Sequence, residues 1–98
     1  MLIDEVKDTI ASVAPSLRER GIIGLYLFGS AAHGEESEES DIDLFLDYDP
    51  SARFSLFDQM DIEVLLSARL GRKVDLLTRG GLHPLIKDEV VASATRLF

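Results

Sequence analysis

The sequence predicts an α/β (α+β) domain in which helices pack against a small mixed β-sheet. Apolar residues recur with a helical period at the start of the chain, and three later segments have the short apolar or alternating patterns of strands. The chain has 98 residues, of which 46% are hydrophobic, and this suffices for one core but not for two independent ones. We therefore expect residues 1–98 to form a single domain.

The first predicted element is an amphipathic helix. Pro15 has no N–H to donate and its ring clashes with the preceding turn, so we expect a kink or a break there. Gly21 is expected to end the second piece. The apolar residues that recur at steps of three and four, and would face the core, are Ile3, Val6, Ile10, Val13 and Leu17.

The first predicted strand is the run 22–28, which is almost continuously apolar and would be central and covered on both faces. It stops at Gly29-Ser30. The small residues 31–34 are consistent with a short helical turn. The polar stretch 35–40 can bury nothing, so it predicts a surface loop.

A second strand is predicted over 41–46, where apolar and polar residues alternate at first. Ile42, Leu44 and Leu46 would share one face of the sheet, while Asp41 and Asp43 would point from the other. The following residues 47–51 have the composition of a turn.

A helix and a third strand follow. Ser55 and Asp58 have the spacing of a capping box, which would open a helix through Met60 and Val64 that ends at Gly71. Residues 72–77 then predict a strand with Asp75 on the face opposite to its apolar neighbours.

A last helix is predicted to begin at Pro84, because proline suits the first helical turn. Its apolar positions would carry it almost to the end of the chain: Ile86, Val90, Ala94 and Leu97.

The composition limits the partners and the compartment. Lys and Arg number 10 against 18 Asp and Glu, and the resulting net charge of −8 makes long nucleic acid a poor candidate substrate. The absence of cysteine excludes a disulfide framework and a thiolate zinc site. No apolar run is long enough to span a membrane and the N-terminus lacks the pattern of a signal peptide, so we expect a cytoplasmic protein.

The candidate chemistry lies in two short motifs. Asp41 and Asp43 are two residues apart on one strand face, about 7 Å apart at the backbone, so their side chains could converge on shared cations. Gly29-Ser30 ends the preceding strand, where backbone N–H groups and a hydroxyl could hold an anion. Taken singly, the aspartates could instead be a solvated face and Ser30 an ordinary helix N-cap.

Together the motifs resemble a known signature. Gly29-Ser30, then Gly34, then the Asp-x-Asp strand 40–44 are similar to the signature of the nucleotidyltransferase superfamily that includes DNA polymerase β. Residues 70–77 resemble the segment that supplies a third carboxylate, here Asp75, in the minimal nucleotidyltransferases (MNT). The resemblance covers roughly residues 22 to 97 and implies the nucleotidyltransferase fold.

The resemblance also implies a mechanism and a partner. Two Mg²⁺ ions about 4 Å apart would be held by Asp41, Asp43 and Asp75, while Gly29 and Ser30 would bind the phosphates of ATP. Family members of this length usually accompany a HEPN-domain toxin in a hetero-oligomer and act as its MntA-like antitoxin. Some of them transfer AMP from ATP to a tyrosine of the toxin.

One departure from the family leaves alternatives open. Close relatives usually carry one or two arginines after the Gly-Ser pair, where this chain has Ala31, Ala32 and His33. A guanidinium binds phosphate in a bidentate manner and is always charged, and neither property is supplied here. The alternatives are a non-catalytic module that neutralises its partner by binding, and a nucleotidyltransferase that acts on small molecules.

Overall fold

The chain folds into a four-stranded mixed sheet with two long helices on one face, and the computed structural model describes residues 2–29 and 41–98. The α/β class and the mixed sheet are as predicted. The elements in chain order are α1 (Leu2–Glu19), β1 (Ile22–Phe28), β2 (Ile42–Tyr48), α2 (Leu56–Leu70), β3 (Val74–Thr78), a 3-10 turn (Arg79–Gly81), α3 (Lys87–Ser93) and β4 (Thr95–Arg96).

The strand order is β3-β2-β1-β4. β1 runs antiparallel to both β2 and β4, whereas β2 and β3 are parallel, with α2 as the crossover that a parallel pair requires. β2 continues through Tyr48, two residues into the segment that the sequence assigned to a turn. The predicted loop 35–40 and the helical turn 31–34 lie outside the described residues.

The hydrophobic core lies between one face of the sheet and the helices α1 and α2. Strand residues at every second position point into it, because successive side chains of a strand face opposite sides. The buried cluster consists of Val6, Ile10, Val13, Leu17, Ile22, Leu25, Leu27, Ile42, Leu44, Leu46, Ile62, Leu66, Val74 and Leu76.

Of the helices in the described part of the chain, none is both long and apolar enough to cross a membrane.

Helix α1 has no break at Pro15, where the sequence predicted a kink or a break. The helix runs without interruption from Leu2 to Glu19, with Pro15 inside it. Pro15 is on the solvent side, while Val13 and Leu17 on either side of it are buried. Their burial offsets the hydrogen bond that proline cannot donate. The helix ends just before Gly21, as predicted.

The end of the chain also differs from the prediction. The last helix, α3, begins at Lys87 and covers seven residues, and the expected continuation to Leu97 is replaced by strand β4. The reason is the edge of β1, whose backbone groups need partners. Leu25 donates its N–H to the carbonyl of Phe98 at 3.2 Å and its carbonyl accepts from Leu97 at 2.8 Å. Pairing with β1 therefore outweighs the helical pattern at the end of the chain.

Strand β1 is central in the sheet, as predicted, but it is covered fully on only one face. Leu25 and Leu27 are buried against the helices, whereas Tyr26 and Phe28 on the opposite face are partly exposed. The expectation of two covered faces was therefore wrong. The second face of the sheet stays open enough to carry a site.

Helix α2 begins and ends as predicted. Ser55 and Asp58 form a reciprocal capping box, and Gly71 closes the helix in a left-handed conformation. The buried positions, however, are Ile62 and Leu66 rather than the apolar residues that marked the helix in the sequence. Met60 and Val64 are more than half exposed.

Polar side chains of α2 satisfy the outer edge of β3. Glu63 accepts a hydrogen bond from the N–H of Leu76 at 2.9 Å, and Gln59 donates to the carbonyl of the same residue at 2.8 Å. Ser67 accepts from the N–H of Val74 at 3.0 Å. These residues are four apart and so share one helix face. An edge strand would otherwise present unpaired groups that template pairing with other chains.

We expect Glu63→Ala to lower the free energy of unfolding by about 1–3 kcal/mol, because the N–H of Leu76 would lose its acceptor in a partly buried place. Urea unfolding would measure the change. Met60→Ala on the same helix is the control, since Met60 is 55% exposed. Equal losses in the two variants would contradict a role for Glu63 at the strand edge.

We expect Asp58→Asn to destabilise the protein at neutral pH, with a deficit that shrinks as the pH falls. Hydrogen bonds from the backbone of Ser55 and then from Arg20 hold the pKa of Asp58 below its ordinary value of 3.8. A lowered folded-state pKa contributes stability above the unfolded-state pKa, and this contribution is lost as the pH falls through the folded value. Urea unfolding at neutral and acidic pH would test this. Asp61→Asn, one turn further along the helix, should show a smaller effect at neutral pH.

Candidate functional site

The pairing of β2 with β3 brings two predicted site residues side by side. In the parallel register Asp43 is the partner of Asp75, and both side chains leave the sheet on the face away from the helical core. Neighbouring strands lie about 4.8 Å apart, so the two carboxyl groups share one small region of the surface. The alternation seen in the sequence places the aspartates on this face, but only the strand pairing makes them neighbours.

Asp41 lies just before β2 and completes the group. The Nζ atom of Lys73 is 4.0 Å from a carboxylate oxygen of Asp41 and 4.0 Å from one of Asp75. The side chain of Lys73 is 72% exposed, so these contacts contribute little to stability. The two contacts do indicate that the electrostatic field between Asp41 and Asp75 attracts a cation.

Asp43 is partly buried and lies close to the other two aspartates. Burial, followed by the charges of Asp75 and Asp41, raises the pKa of Asp43 above its ordinary value of 3.8. Like charges that are held together favour protonation unless a cation relieves the repulsion.

The oxygen ligands fit a hard divalent cation such as Mg²⁺, which prefers carboxylates and water. In residues 2–29 and 41–98, no three His, Cys, Asp or Glu side chains form a ready-made metal cluster. The aspartates are therefore neighbours whose negative charges repel one another and would attract a cation, but they do not form a preformed coordination shell.

The turn after β1 passes directly against Asp43. Phe28 is the register partner of Asp43, and the next residue, Gly29, has a φ angle of 76°. A Cβ atom at Gly29 would lie 2.5 Å from Oδ2 of Asp43, so the carboxylate would have to move to admit a side chain there. The backbone of Gly29 can consequently approach whatever the carboxylate holds. Ser30 lies outside the described residues, so its role in phosphate binding stays a prediction.

The same face carries a cluster that the sequence did not single out. Tyr26 and Phe45 stack with ring centroids 4.7 Å apart, and the guanidinium of Arg79 lies over both rings. Arg79 also donates to both carboxylate oxygens of Asp47, at 2.8 and 2.9 Å. The signal in the sequence was the continued alternation of Asp43, Phe45 and Asp47. The side chains of this cluster bury Phe45, although α1 and α2 pack on the opposite face of the sheet. They leave Asp43 and Asp75 partly exposed.

A cleft adjoins the other side of Gly29. It lies between the end of β1 and α3, has a volume of about 340 Å³, and is lined by Phe28, Gly29, Ile86, Glu89, Val90 and Ser93. His83 lies in the turn ahead of α3, where its Nδ1 accepts a hydrogen bond from the N–H of Leu85 at 3.1 Å.

A sheet with clustered carboxylates on its open face, beside the glycine turn of a neighbouring strand, is the arrangement implied by the resemblance in the sequence. The sequence model of the nucleotidyltransferase domain matches residues 10–97 of this chain. The chain therefore belongs to the nucleotidyltransferase domain family.

Relatives of similar length support this assignment. A protein of Methanocaldococcus jannaschii, provisionally named a protein adenylyltransferase, is 35% identical over 94 residues, which is 96% of either chain. The protein adenylyltransferase MntA of Thermococcus cleftensis is 32% identical over 93% of this chain and 91% of its own. The recognised resemblance to MntA-like proteins is thus confirmed.

Solved structures have the same fold. A structure described as a minimal nucleotidyltransferase superposes with a TM-score of 0.73 at 28% identity, covering 96% of this chain and 90% of that one. A chain from the complex of a tri-AMPylated HEPN toxin with its MNT antitoxin, from Shewanella oneidensis, has a TM-score of 0.69 at 20% identity. That match covers 100% of this chain and 72% of the other. The predicted nucleotidyltransferase fold is confirmed.

We expect Gly29→Ala to cost more stability than Gly71→Ala. Both glycines have a left-handed backbone, with φ angles of 76° and 66°, and a side chain at such a position costs about 1 kcal/mol. A Cβ at Gly71 meets nothing within 4 Å, whereas at Gly29 it meets the carboxylate of Asp43. Urea unfolding of the two variants would compare the costs. Equal costs would show that the turn does not press against Asp43.

Proposed function

We propose that this chain is a Mg²⁺-dependent nucleotidyltransferase that transfers AMP from ATP to a hydroxyl group of a HEPN-domain toxin and thereby acts as its antitoxin. The observation that carries the proposal is the placement of Asp43 beside Asp75, with Asp41 close by and the backbone of Gly29 against Asp43. Relatives named protein adenylyltransferases, and an AMPylated toxin in the complex of a structural neighbour, support it.

Asp41, Asp43 and Asp75 would hold the divalent ions in this proposal. Bound Mg²⁺ would supply positive charge that stabilises the phosphate oxygens and lowers the pKa of an attacking hydroxyl. The backbone of Gly29, with Ser30 after it, would hold the phosphates that leave. Lys73, now between Asp41 and Asp75, would give up its place near their oxygens, and its exposure makes this displacement easy.

The transfer is a displacement at the α-phosphorus of ATP. The acceptor hydroxyl oxygen forms a bond to the α-phosphorus, and the bond from that phosphorus to the bridging oxygen breaks. Pyrophosphate leaves with the electron pair of the broken bond. The carboxylate of Asp75 would take the hydroxyl proton and pass it to solvent.

A protein acceptor suits the open face of the sheet. The carboxylates project from the side that α1 and α2 do not cover, so a partner can bring a tyrosine hydroxyl to them and form a hetero-oligomer. Positioning the two reactants in this way removes most of the entropic cost of the reaction. A structural neighbour described as a toxin–antitoxin with AMP-PNP agrees with ATP as the donor.

The non-catalytic alternative is motivated by Ala31 and His33, which replace the arginines expected after the Gly-Ser pair. In that case the chain would neutralise its partner by binding alone. A small-molecule acceptor is less well supported. The cleft beside Gly29 holds about 340 Å³, near the lower limit for ligand pockets, and one nucleoside would fill most of it.

We expect Asp43→Asn to reduce transfer of labelled AMP to the co-purified HEPN-type partner at least a thousandfold. The variant removes a carboxylate from the centre of the group, and it removes repulsion from the metal-free protein, so the fold should persist or gain stability. Transfer would be followed by radiolabel on the partner, with and without Mg²⁺.

Asp8→Asn is the matched control, because Asp8 is an exposed residue of α1 and its substitution removes the same charge. It should transfer AMP at the wild-type rate. Undiminished transfer by Asp43→Asn would refute the site. A wild-type protein that inhibits the toxin without labelling it would instead establish the non-catalytic alternative.

A further inference from the structure

The cleft between β1 and α3 begins where the proposed phosphate site ends. Gly29 touches Asp43 on one side and lines the cleft on the other. Within residues 2–29 and 41–98, this cleft is an apolar surface next to Gly29 that could receive the sugar and base of a nucleotide whose phosphates lie at Gly29 and the aspartates. The cleft is open to solvent but lined mainly by apolar side chains, and burying a flat apolar ring against them is favourable.

The walls of the cleft suit the two faces of a nucleobase. Phe28 forms one wall, and its ring packs against the fully buried Phe45 with the centroids 5.8 Å apart, which holds it as a fixed platform. The α3 side of the cleft is formed by Ile86, which comes just before α3, and by Val90, which lies on α3. Stacking of a base on an aromatic side chain contributes without regard to base identity.

The polar rim of the cleft is acidic. Glu89 lies on α3 beside Val90, and its carboxylate can only accept hydrogen bonds. The hydroxyl of Ser93, one turn further on, is bound to the carbonyl of Glu89 at 3.0 Å and so does not compete for that carboxylate. An acidic rim repels phosphate but accepts from an amino group on a base edge. The polarity of the rim therefore requires the base, not the phosphates, at α3.

We infer that the cleft lined by Phe28, Ile86 and Val90 is the base-binding subsite of this chain, and that Glu89 selects a base that carries an exocyclic amino group. The inference rests on the proposed function, because the direction of the nucleotide follows from phosphates at Gly29. With ATP as donor, the 6-amino group of adenine donates to Glu89. Glu89 is a specificity-determining residue in this arrangement and takes no part in the chemistry.

Equilibrium binding to the full chain in the presence of Mg²⁺ tests the subsite, with three ligands. The ligands are ATP, purine riboside triphosphate, which lacks only the 6-amino group, and inorganic tripolyphosphate. The wild-type protein should bind ATP about tenfold more tightly than purine riboside triphosphate, as expected for a hydrogen bond to a charged acceptor. Glu89→Ala should bring the ratio of the two dissociation constants close to one.

Asp88→Ala is the matched control. Asp88 precedes Glu89 in α3 and does not line the cleft, and its substitution removes the same charge. It should keep the wild-type ratio, even if loss of a negative charge tightens the binding of all three ligands alike. A second variant, Val90→Phe, fills the cleft and should weaken ATP binding while leaving tripolyphosphate unaffected.

The ligands separate failure of the subsite from failure of the proposed function. A wild-type protein that binds tripolyphosphate and ATP equally, with no effect of Glu89→Ala or Val90→Phe, would overturn the subsite and leave the phosphate site intact. Binding of neither ligand would overturn the proposed function together with the inference. Loss of the ATP preference in Asp88→Ala as well would show a general charge effect and would also overturn the role of Glu89.

Discussion

The parallel pairing of β2 with β3 is the constraint on which the site depends. It sets Asp43 beside Asp75, an arrangement that is unfavourable in itself because the two carboxylates repel each other. The register persists because a shift by one residue would turn the buried side chains of Ile42, Leu44 and Val74 away from the core and the aspartates into it. Burial of the apolar face thus holds the acidic face together.

The two edges of the sheet show how the same fold leaves one face free. On the β3 side, Glu63 and Gln59 of α2 bond to Leu76, so no further strand is required there. On the β1 side, the end of the chain supplies β4. The open face carries the carboxylates, the Arg79 cluster and the cleft at α3.

The elements that were predicted well are those whose signal is local. The capping box of Ser55 and Asp58 and the stop at Gly71 involve contacts within a few residues, and both are observed. Of the kink or break expected at Pro15, the break does not occur, because packing of Val13 and Leu17 holds α1 together across it. The helix expected to reach Leu97 was wrong as well, because β1 offers hydrogen bonds that local periodicity does not reveal.

The sequence by itself determined the α/β class, the order of most elements and the face of each strand from which Asp43 and Asp75 project, since the side-chain period of a strand depends only on its backbone. The resemblance of the motifs to a known signature also indicated the family. Only the tertiary structure decided that Asp43 and Asp75 are partners, that Lys73 lies between Asp41 and Asp75, and that α3 forms a cleft with Gly29. These are contacts between residues far apart in the chain, and they exist only once burial of the core has fixed the register of the strands.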